Sequence, residues 1–279
     1  MRRVVTLLTD FGLSDPFVGI MKGVILGINP HAVLVDLCHG GKAYEPSEAA
    51  FALIAAYRYF PQGTIHVAVI DPGVGGPRRP ILVTCDGHLF IGPDNGLLAL
   101  LAEKAGSSGI RAITATRYFL HPVSATFHGR DVFAPVAGHL SLEAKPAELG
   151  EPIDDYVRLA LPHAALSGTS LIKGEILHID RFGNLVTNVT RTDLEHLAAG
   201  DFPMVFFVRI ADQEVPVVAY YSQVAPAAPG AVIGSADYLE IFVNQGDASR
   251  LLGVGRGSKV MVGRKDASDR GESPHLILP

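Results

Sequence analysis

The pattern of the chain changes near residue 150, and this change constrains the fold more than any other feature. Before it, short β-branched apolar runs alternate with stretches whose apolar residues recur at helical spacing. The predicted strands are Val4–Leu8, Val33–Leu37, Ile65–Ile70, Ile81–Thr84, Leu89–Ile91 and Ile110–Thr114. The predicted helices are Pro16–Ile28, Glu45–Phe60, Gly96–Ala105 and Asp131–Leu140. This alternation predicts an α/β N-terminal domain, residues 1–160, with a mostly parallel sheet.

A linker-like segment rich in Pro, Gly and Ser follows, and β-type runs dominate the rest of the chain. These runs are Leu171–Ile179, Leu185–Val189, Met204–Ile210, Val215–Tyr220, Tyr238–Val243 and Lys259–Val262. Short strands separated by Gly, Pro and Asp predict an all-β C-terminal domain, residues 170–279, of barrel-like form.

Composition limits the classes of partner and the compartment. The 279 residues carry a formal net charge of −5, so no basic surface of the kind that binds nucleic acid is indicated. No apolar run approaches the ~20 residues of a membrane span, and no signal peptide is evident before Asp10. Cys38 and Cys85 lie in apolar runs typical of buried thiols in a reducing compartment. We therefore expect a cytoplasmic protein without nucleic-acid or membrane partners.

The central predicted strand ends in a sequence well suited to a ligand site. Asp71 follows it, and Pro72, three glycines and Arg78 come next. A carboxylate in this position lies at the carboxyl edge of the sheet, where open α/β sheets bind ligands. The glycines allow a ligand to approach the backbone, and Arg78 returns a positive charge towards Asp71. The alternative is a tight turn with a surface ion pair, which this turn alone would favour.

Two carboxylates, Asp10 and Asp15, lie in the turn after the first predicted strand. A carboxylate at that edge can accept both hydroxyls of a ribose, as acids do in other nucleotide-binding sheets. The alternative is helix capping, which fits Asp15, directly before Pro16 at the first helical position, better than Asp10.

The candidate catalytic imidazole is His128, which lies beside Gly129 before a predicted helix. A lone histidine is more often structural than catalytic, so this signal is weak by itself. Asp131 is placed to cap the helix, and Arg130 is placed to form a structural ion pair.

A predicted turn at residues 180–184 offers groups suited to a purine. The side-chain amide of Asn184 carries a donor and an acceptor that match the edge of adenine. Phe182 can lie against a ring. The alternative is an ordinary hairpin turn, which would explain Gly183 as well as Asn184.

The usual metal and nucleotide motifs are missing from the sequence. No HxH, HExxH or CxxC spacing occurs near the Gly-rich turns, and neither GxxxxGK[ST] nor GxGxxG follows a strand. We therefore predict neither a metal site nor a cofactor. Two rival functions stay open: a metal-dependent phosphoesterase using Asp10, Asp36, Asp71 and His128, and a nucleoside-binding module without turnover.

Four motifs in fixed order carry a family resemblance, and they read TDFG-x-x-D, DPGVG-x-x-R, FHGRD and D-R-FGN-x-x-TN. Together they resemble the S-adenosyl-L-methionine hydrolase family, also called SAM hydroxide adenosyltransferases, which are relatives of the fluorinase and chlorinase. The resemblance spans residues 9–243. It implies an α/β domain, a β-barrel domain and a homotrimer whose sites are shared between subunits.

The resemblance also implies roles for individual residues. The family's catalytic triad corresponds to Asp71, Arg78 and His128. The implied substrate-binding residues are Asp10 and Asp15 in the ribose motif, Phe182 and Asn184 at adenine, Asp180, Ser235 and Glu240 at the methionine side, Val243 through its backbone, and Tyr44 as an aromatic over the substrate.

Differences from the halogenating relatives indicate water as the nucleophile. Those relatives have Tyr where Asp71 stands, the fluorinase has a halide-contacting Ser where Gly129 stands, and the imidazole of His128 is missing from them. The resemblance therefore implies hydrolysis of S-adenosyl-L-methionine to adenosine and L-methionine, by in-line attack of an activated water or hydroxide at C5′.

Overall fold

The computed structural model describes residues 3–40, 45–159, 162–168, 170–198 and 205–265. The chain divides into two compact units, Met1–Ala160 and Leu161–Pro279, here called the α/β unit and the β unit. Among the described residues, no helix is long and apolar enough to cross a membrane.

The α/β unit is built on a six-stranded sheet. Its strands are β1 (Val4–Thr9), β2 (Val33–Cys38), β3 (Ile65–Val69), β4 (Pro80–Cys85), β5 (His88–Pro93) and β6 (Ser107–Ala112), in the order β2-β1-β3-β5-β4-β6. β1 pairs in parallel with β2 and β3, and β3 with β5, whereas β4 is antiparallel to β5 and β6. The prediction of an α/β unit is confirmed, and the sheet is mixed.

The antiparallel pairing has a local cause in the β4–β5 hairpin. Asp86 and Gly87 both adopt positive φ, as a two-residue turn between strands requires, so the hairpin predicted from Asp-Gly is confirmed. Cys85 before the turn is buried, as expected, but Cys38 is exposed because β2 is the edge strand.

In the described part of this unit, the sheet is covered by the α-helices α1 (Phe17–Ile28), α2 (Pro46–Ala56), α3 (Leu97–Ala105) and α4 (Ala134–Ser141). α1 buries Val18, Met21 and Ile25 on one face, as their spacing requires. The prediction that Asp15 caps α1 is wrong. The Pro16 carbonyl accepts the first intrahelical bond, from the Ile20 amide at 2.8 Å, so Pro16 is itself the cap residue and Asp15 lies one position outside.

The described residues of the β unit form an antiparallel sheet and two short helices. Its strands are β7 (Ala165–Ser167), β8 (Leu171–Ile179), β9 (Leu185–Thr190), β10 (Val205–Ile210), β11 (Gln213–Pro216), β12 (Pro229–Ile233), β13 (Tyr238–Val243) and β14 (Lys259–Lys265). The order is β11-β10-β14-β8-β9-β13-β12, with β7 beside β8. The two ends approach each other through a bridge between Val217 and Ala231, so the sheet is nearly closed.

Two details of the β unit differ from the prediction. The predicted strand Val215–Tyr220 ends at Pro216. No strand is predicted at β12, whose first two residues, Pro229-Gly230, are typical of a turn. Helices α5 (Arg191–Ala198) and α6 (Ala248–Leu252) interrupt the predicted all-β pattern. Met204, the first residue of another predicted strand, lies outside the described residues.

Candidate active site

Asp71 and Arg78 form a largely buried ion pair directly after β3. The Arg78 Nε donates to Asp71 Oδ1 at 2.9 Å and to Oδ2 at 3.0 Å, and Nη2 also donates to Oδ2. The guanidinium lies 5.5 Å from the centre of the Phe133 ring, which gives it a cation–π contact. Side-chain exposure is only 5% for Asp71 and 11% for Arg78, so the alternative of a surface ion pair does not describe this contact.

His128 completes the cluster through Arg78, because Arg78 Nη2 lies 2.6 Å from His128 Nδ1. A π-helical turn, Gly129–Phe133, follows the histidine and runs into α4. Inside that turn the buried Asp131 carboxylate accepts hydrogen bonds from the amide and hydroxyl of Ser124 and from Arg130 Nε. Asp131 thus ties both sides of the His128 turn together, and Arg130 makes the expected structural ion pair.

The contact with Arg78 fixes the tautomer of His128. A guanidinium only donates hydrogen bonds, so Nδ1 of His128 accepts and the neutral ring carries its proton on Nε2. Burial lowers the pKa of His128, and the positive charge of Arg78 lowers it further, against the opposing charges of Asp71 and Asp131 and a hydrogen bond with the backbone of Ser124. The imidazole is therefore neutral at pH 7, with its N–H on Nε2.

Gly75 brings the loop of Asp71 against the loop of His128. Its φ is +76°, and a Cβ there would overlap the backbone carbonyl of Ala125. The glycine is therefore needed for both the turn and the backbone contact between the two loops.

Asp10 lies at the same edge of the sheet as Asp71. β1 and β3 are parallel neighbours with Thr9 opposite Val69, so the residues that follow both strands leave the sheet together. The turn of Asp10 is fastened by His39, whose Nδ1 lies 2.9 Å from the Thr9 hydroxyl and whose carbonyl accepts from the Gly12 amide at 2.8 Å. Asp15 is exposed nearby in the chain, and Tyr44 lies outside the described residues.

Three phenylalanines next to these motif residues form an aromatic cluster that the sequence analysis does not single out. Phe11, Phe17 and Phe127 meet edge to face, with centroids 5.2–6.0 Å apart. A Cβ on Gly129 would lie 3.1–3.3 Å from Met21, Phe127 and Phe11. Phe11 and Phe127 directly adjoin Asp10 and His128 in the sequence motifs, and this is the feature of the sequence that could have indicated the cluster.

In the β unit, Asp180, Phe182 and Asn184 share the turn between β8 and β9. The Asp180 carboxylate accepts from the amides of Phe182 and Asn184 at 2.8 and 2.9 Å, and from Asn184 Nδ2 at 3.0 Å. Within the described residues, the side-chain oxygen of Asn184 is thus left for other partners, and Phe182 is 74% exposed. Gly183, with φ +85°, packs where a Cβ would overlap the Asp247 carboxylate that caps α6.

Ser235, Glu240 and Val243 lie on or before β13, which pairs with β9. Ser235 is exposed in the turn, and Val243 is buried at the end of the strand. Glu240 accepts a hydrogen bond of 2.7 Å from the Tyr221 hydroxyl, a partner with no signal in the sequence. Burial raises the pKa of Glu240, and the charge of Asp180 raises it further, so these two carboxylates belong to one electrostatic cluster.

The four residues of the metal-dependent alternative do not form a ligand cluster. Within the described ranges, no group of three or more His, Cys, Asp or Glu side chains is arranged to hold a metal ion. Asp36 pairs instead with Lys22 Nζ at 2.6 Å and with His39 Nε2 at 3.0 Å.

A model of the SAM hydroxide adenosyltransferase N-terminal domain matches residues 5–150, and a model of the C-terminal domain matches residues 174–261. Each half of the chain thus matches one domain of a SAM hydroxide adenosyltransferase. The matched ranges cover most of the chain in the family's own order. The chain belongs to the SAM hydroxide adenosyltransferase family.

Individual relatives agree with this assignment. The chain is 37% identical over 269 residues to the (R)-S-adenosyl-L-methionine hydrolase of Thermus thermophilus, which covers 92% of this chain and 98% of that protein. It is 27% identical over 223 residues to a fluorinase of Actinoplanes sp., with 71% and 75% coverage. The crystal structure of an uncharacterized conserved protein from Thermotoga maritima matches with a TM-score of 0.86 and 34% identity, over 93% of this chain and all of the other.

Proposed function

We propose that this chain hydrolyses S-adenosyl-L-methionine to adenosine and L-methionine by in-line attack of water or hydroxide at C5′. The observation that carries the proposal is the Arg78 guanidinium held between the Asp71 carboxylate and the neutral His128 ring. The name of the Thermus thermophilus relative, (R)-S-adenosyl-L-methionine hydrolase, supports the same reaction.

The reaction needs no acid catalyst, because the sulfur of the substrate is a sulfonium and leaves without protonation. The C5′–S bond breaks with its electron pair going to sulfur, and methionine leaves as a neutral thioether. The oxygen of water forms the new C5′–O bond and loses a proton. The site must therefore align the water and accept that proton.

The geometry supports separate roles for the three side chains. The Asp71 carboxylate has about four lone-pair positions, and its three bonds from Arg78 leave capacity for a water. His128, protonated on Nε2, orients the water as a donor, so the proton goes to Asp71 and then to solvent. Arg78 fixes both partners, and its charge favours a developing anionic oxygen.

The β unit is proposed to bind the adenine and methionine ends of the substrate, while the α/β unit binds the ribose through Asp10 and carries out catalysis. The free side-chain oxygen of Asn184 suits the adenine amino group, and the exposed Phe182 suits its ring. A methionine ammonium near Glu240 would offset the burial and the Asp180 charge that raise its pKa. Ser235 and the Val243 backbone are proposed as further contacts, and Asp180 acts by shaping the turn.

The assembly is proposed by family analogy, and the compartment from the composition of the sequence. A homotrimer with sites shared between subunits would bring α/β units and β units of different chains together, and the protein is expected in the cytoplasm. We also propose that the nearly closed sheet of the β unit is a β-barrel.

Oxygen-18 water tests the proposed reaction directly. The protein is incubated with S-adenosyl-L-methionine in labelled water, and the products are separated and weighed by mass spectrometry. Adenosine labelled at its 5′-hydroxyl, together with methionine, is expected, and an Asp71→Asn protein prepared in parallel should form little of either. Unlabelled adenosine, methylthioadenosine as product, or substrate bound but unchanged would overturn the proposal.

A further inference from the structure

A two-residue segment, Asp94-Asn95, forms hydrogen bonds to the residues on either side of the Asp71–Arg78 loop, here called the catalytic loop. The segment lies between β5 and α3. The Asn95 Nδ2 donates to the carbonyl of Ile70 at 2.7 Å, and its Oδ1 accepts from the Leu97 amide at 3.3 Å. Ile70 is the residue directly before Asp71, so Asn95 holds the start of the loop.

Asp94 holds the other end of the same loop. Its carboxylate, 4% exposed, accepts from Arg79 Nε at 3.2 Å and Nη2 at 2.9 Å, and its amide donates to the Arg79 carbonyl at 2.8 Å. Arg79 directly follows Arg78. The second carboxylate oxygen of Asp94 accepts from the Val157 amide at 2.8 Å, which fastens Asp94 itself.

The sheet holds the chain only up to the residues next to the loop. On β3 the pairs with β1 end at Val69, the residue before Ile70, and those with β5 end at Val67, while β4 begins at Pro80, directly after Arg79. Within the loop, the described backbone hydrogen bonds close two turns, from the Val74 amide to the Asp71 carbonyl at 3.3 Å and from the Gly76 amide to the Gly73 carbonyl at 3.0 Å. A glycine-rich segment has wide backbone freedom, so its ends must be fixed from outside if its side chains are to keep one geometry.

We infer that Asp94 and Asn95 are positioning residues for catalysis, which act by fixing the residues on either side of the Asp71–Arg78 loop. Neither side chain contacts the catalytic groups in the described structure; each bonds to a residue next to one of them. The inference rests on the proposed function only in that Asp71 and Arg78 are taken as the catalytic pair.

The chain offers a matched control for Asn95. Asn29 makes the same two bonds at the end of α1: its Oδ1 accepts from the His31 amide at 3.0 Å, and its Nδ2 donates to the Ser141 hydroxyl at 2.9 Å. Asn29 precedes β2, so it lies at the opposite edge of the sheet from Asp71. Asn95→Ser and Asn29→Ser both keep a short hydroxyl acceptor for the local amide and lose the long-range donor, without a change in charge.

Two readouts separate positioning from general stability. Asn95→Ser should lower kcat by about 10–100-fold, the scale expected when a catalytic group moves by about 1 Å, with KM changed by less than about threefold. The titration of His128, followed by nitrogen-15 NMR, should move up towards the ordinary histidine value, because Arg78 is one cause of its lowered pKa. Asp71 moves together with Arg78, and its opposing effect on this pKa is smaller than that of Arg78, while Asp131 stays in place. Asn29→Ser should change neither readout.

Asp94→Asn provides a second variant in case Asn95→Ser does not fold. The amide keeps an oxygen for Val157 but loses the charged acceptor for Arg79. Arg79 keeps its bond to the Asp155 carboxylate at 2.8 Å, so a fall in kcat and a rise in the His128 pKa in the same directions, but smaller, are expected. Unchanged kcat and unchanged His128 titration in either folded variant would overturn the inference. A fall in kcat without a shift of His128 would also overturn it, because Asn95 or Asp94 would then act by another route than Arg78. If the wild-type protein did not cleave S-adenosyl-L-methionine, the proposed function would fail, while the His128 titration would still decide whether the loop is held.

Discussion

The buried histidine His66 makes the α/β unit sensitive to acid. It lies in β3 with no exposed surface, its Nδ1 is 2.8 Å from the Thr6 hydroxyl, and its ring stacks on Phe90 with centroids 4.8 Å apart. Burial, together with the neighbouring His88, lowers the pKa of His66 to about 3. The folded unit therefore keeps a neutral imidazole where the unfolded chain takes up a proton.

The sign and size of the effect follow from proton linkage. The unfolded chain binds a proton at His66 below pH about 6.5, whereas the folded unit does not until about 3. The stabilisation is thus complete above pH 6.5 and is lost as the pH falls from there to about 3. Within this window, the free energy of unfolding falls by about 1.4 kcal/mol for each pH unit, or by about 5 kcal/mol over the whole window.

The experiment compares the wild-type protein with His66→Gln, which fills similar space and does not titrate. Urea unfolding is followed by circular dichroism at 222 nm, which reports mainly the α/β unit because its helices are the longer ones. Between pH 7.5 and 4.5 the wild-type free energy of unfolding should fall by about 3 kcal/mol more than that of the variant.

Val67→Ala serves as the control, because it truncates a buried side chain on the same strand without removing a titrating group. Its cost should be the same at both pH values. If the gap between the wild-type protein and His66→Gln stayed constant from pH 7.5 to 4.5, the assignment of a neutral buried imidazole would be refuted.

Three further predictions concern the site and the assembly. Asp71→Asn should reduce kcat by about 10²–10⁴-fold, the usual cost of losing a general base, with binding retained by calorimetry; near-normal turnover would show that another group accepts the proton. Because the lowered pKa of His128 keeps it neutral, kcat should hold as the pH falls to 6.5 and decline only below it; an earlier decline would contradict the neutral donor. Asp71→Asn and Asn184→Ala proteins, unfolded together and refolded, should recover about a quarter of wild-type activity if a ring shares its sites, since random assortment pairs two intact halves that often; no recovery would exclude sharing.

The sequence predicts those parts of the site whose partners are close along the chain. Asp71 and Arg78 lie in one loop, and the strand before them is a plain apolar run, so their contact at the sheet edge follows from local pattern. His128 adds one distant residue, and family resemblance was needed to connect it to that loop.

Other contacts depend on tertiary neighbours that no local pattern reveals. Asn95 directly precedes the predicted helix Gly96–Ala105, so its bond to the Leu97 amide follows from local sequence, whereas its bond to the Ile70 carbonyl is visible only in the fold. Asp15 has a good capping sequence, but the carbonyl of Pro16 takes the cap position. Strand β12 is paired because β13 lies beside it, although its own sequence begins like a turn.

The contact between Gly75 and the Ala125 carbonyl has a consequence for how this enzyme can vary. It sets the distance between two loops by backbone against backbone, so the separation of Arg78 and His128 depends on how many residues each loop contains. Side chains in the loop can change while this spacing holds, whereas one inserted or deleted residue between Asp71 and Arg78 would shift the guanidinium by up to about 3.8 Å, the distance between consecutive Cα atoms. Loop length is therefore expected to be inherited more strictly than loop sequence in chains that carry out this reaction.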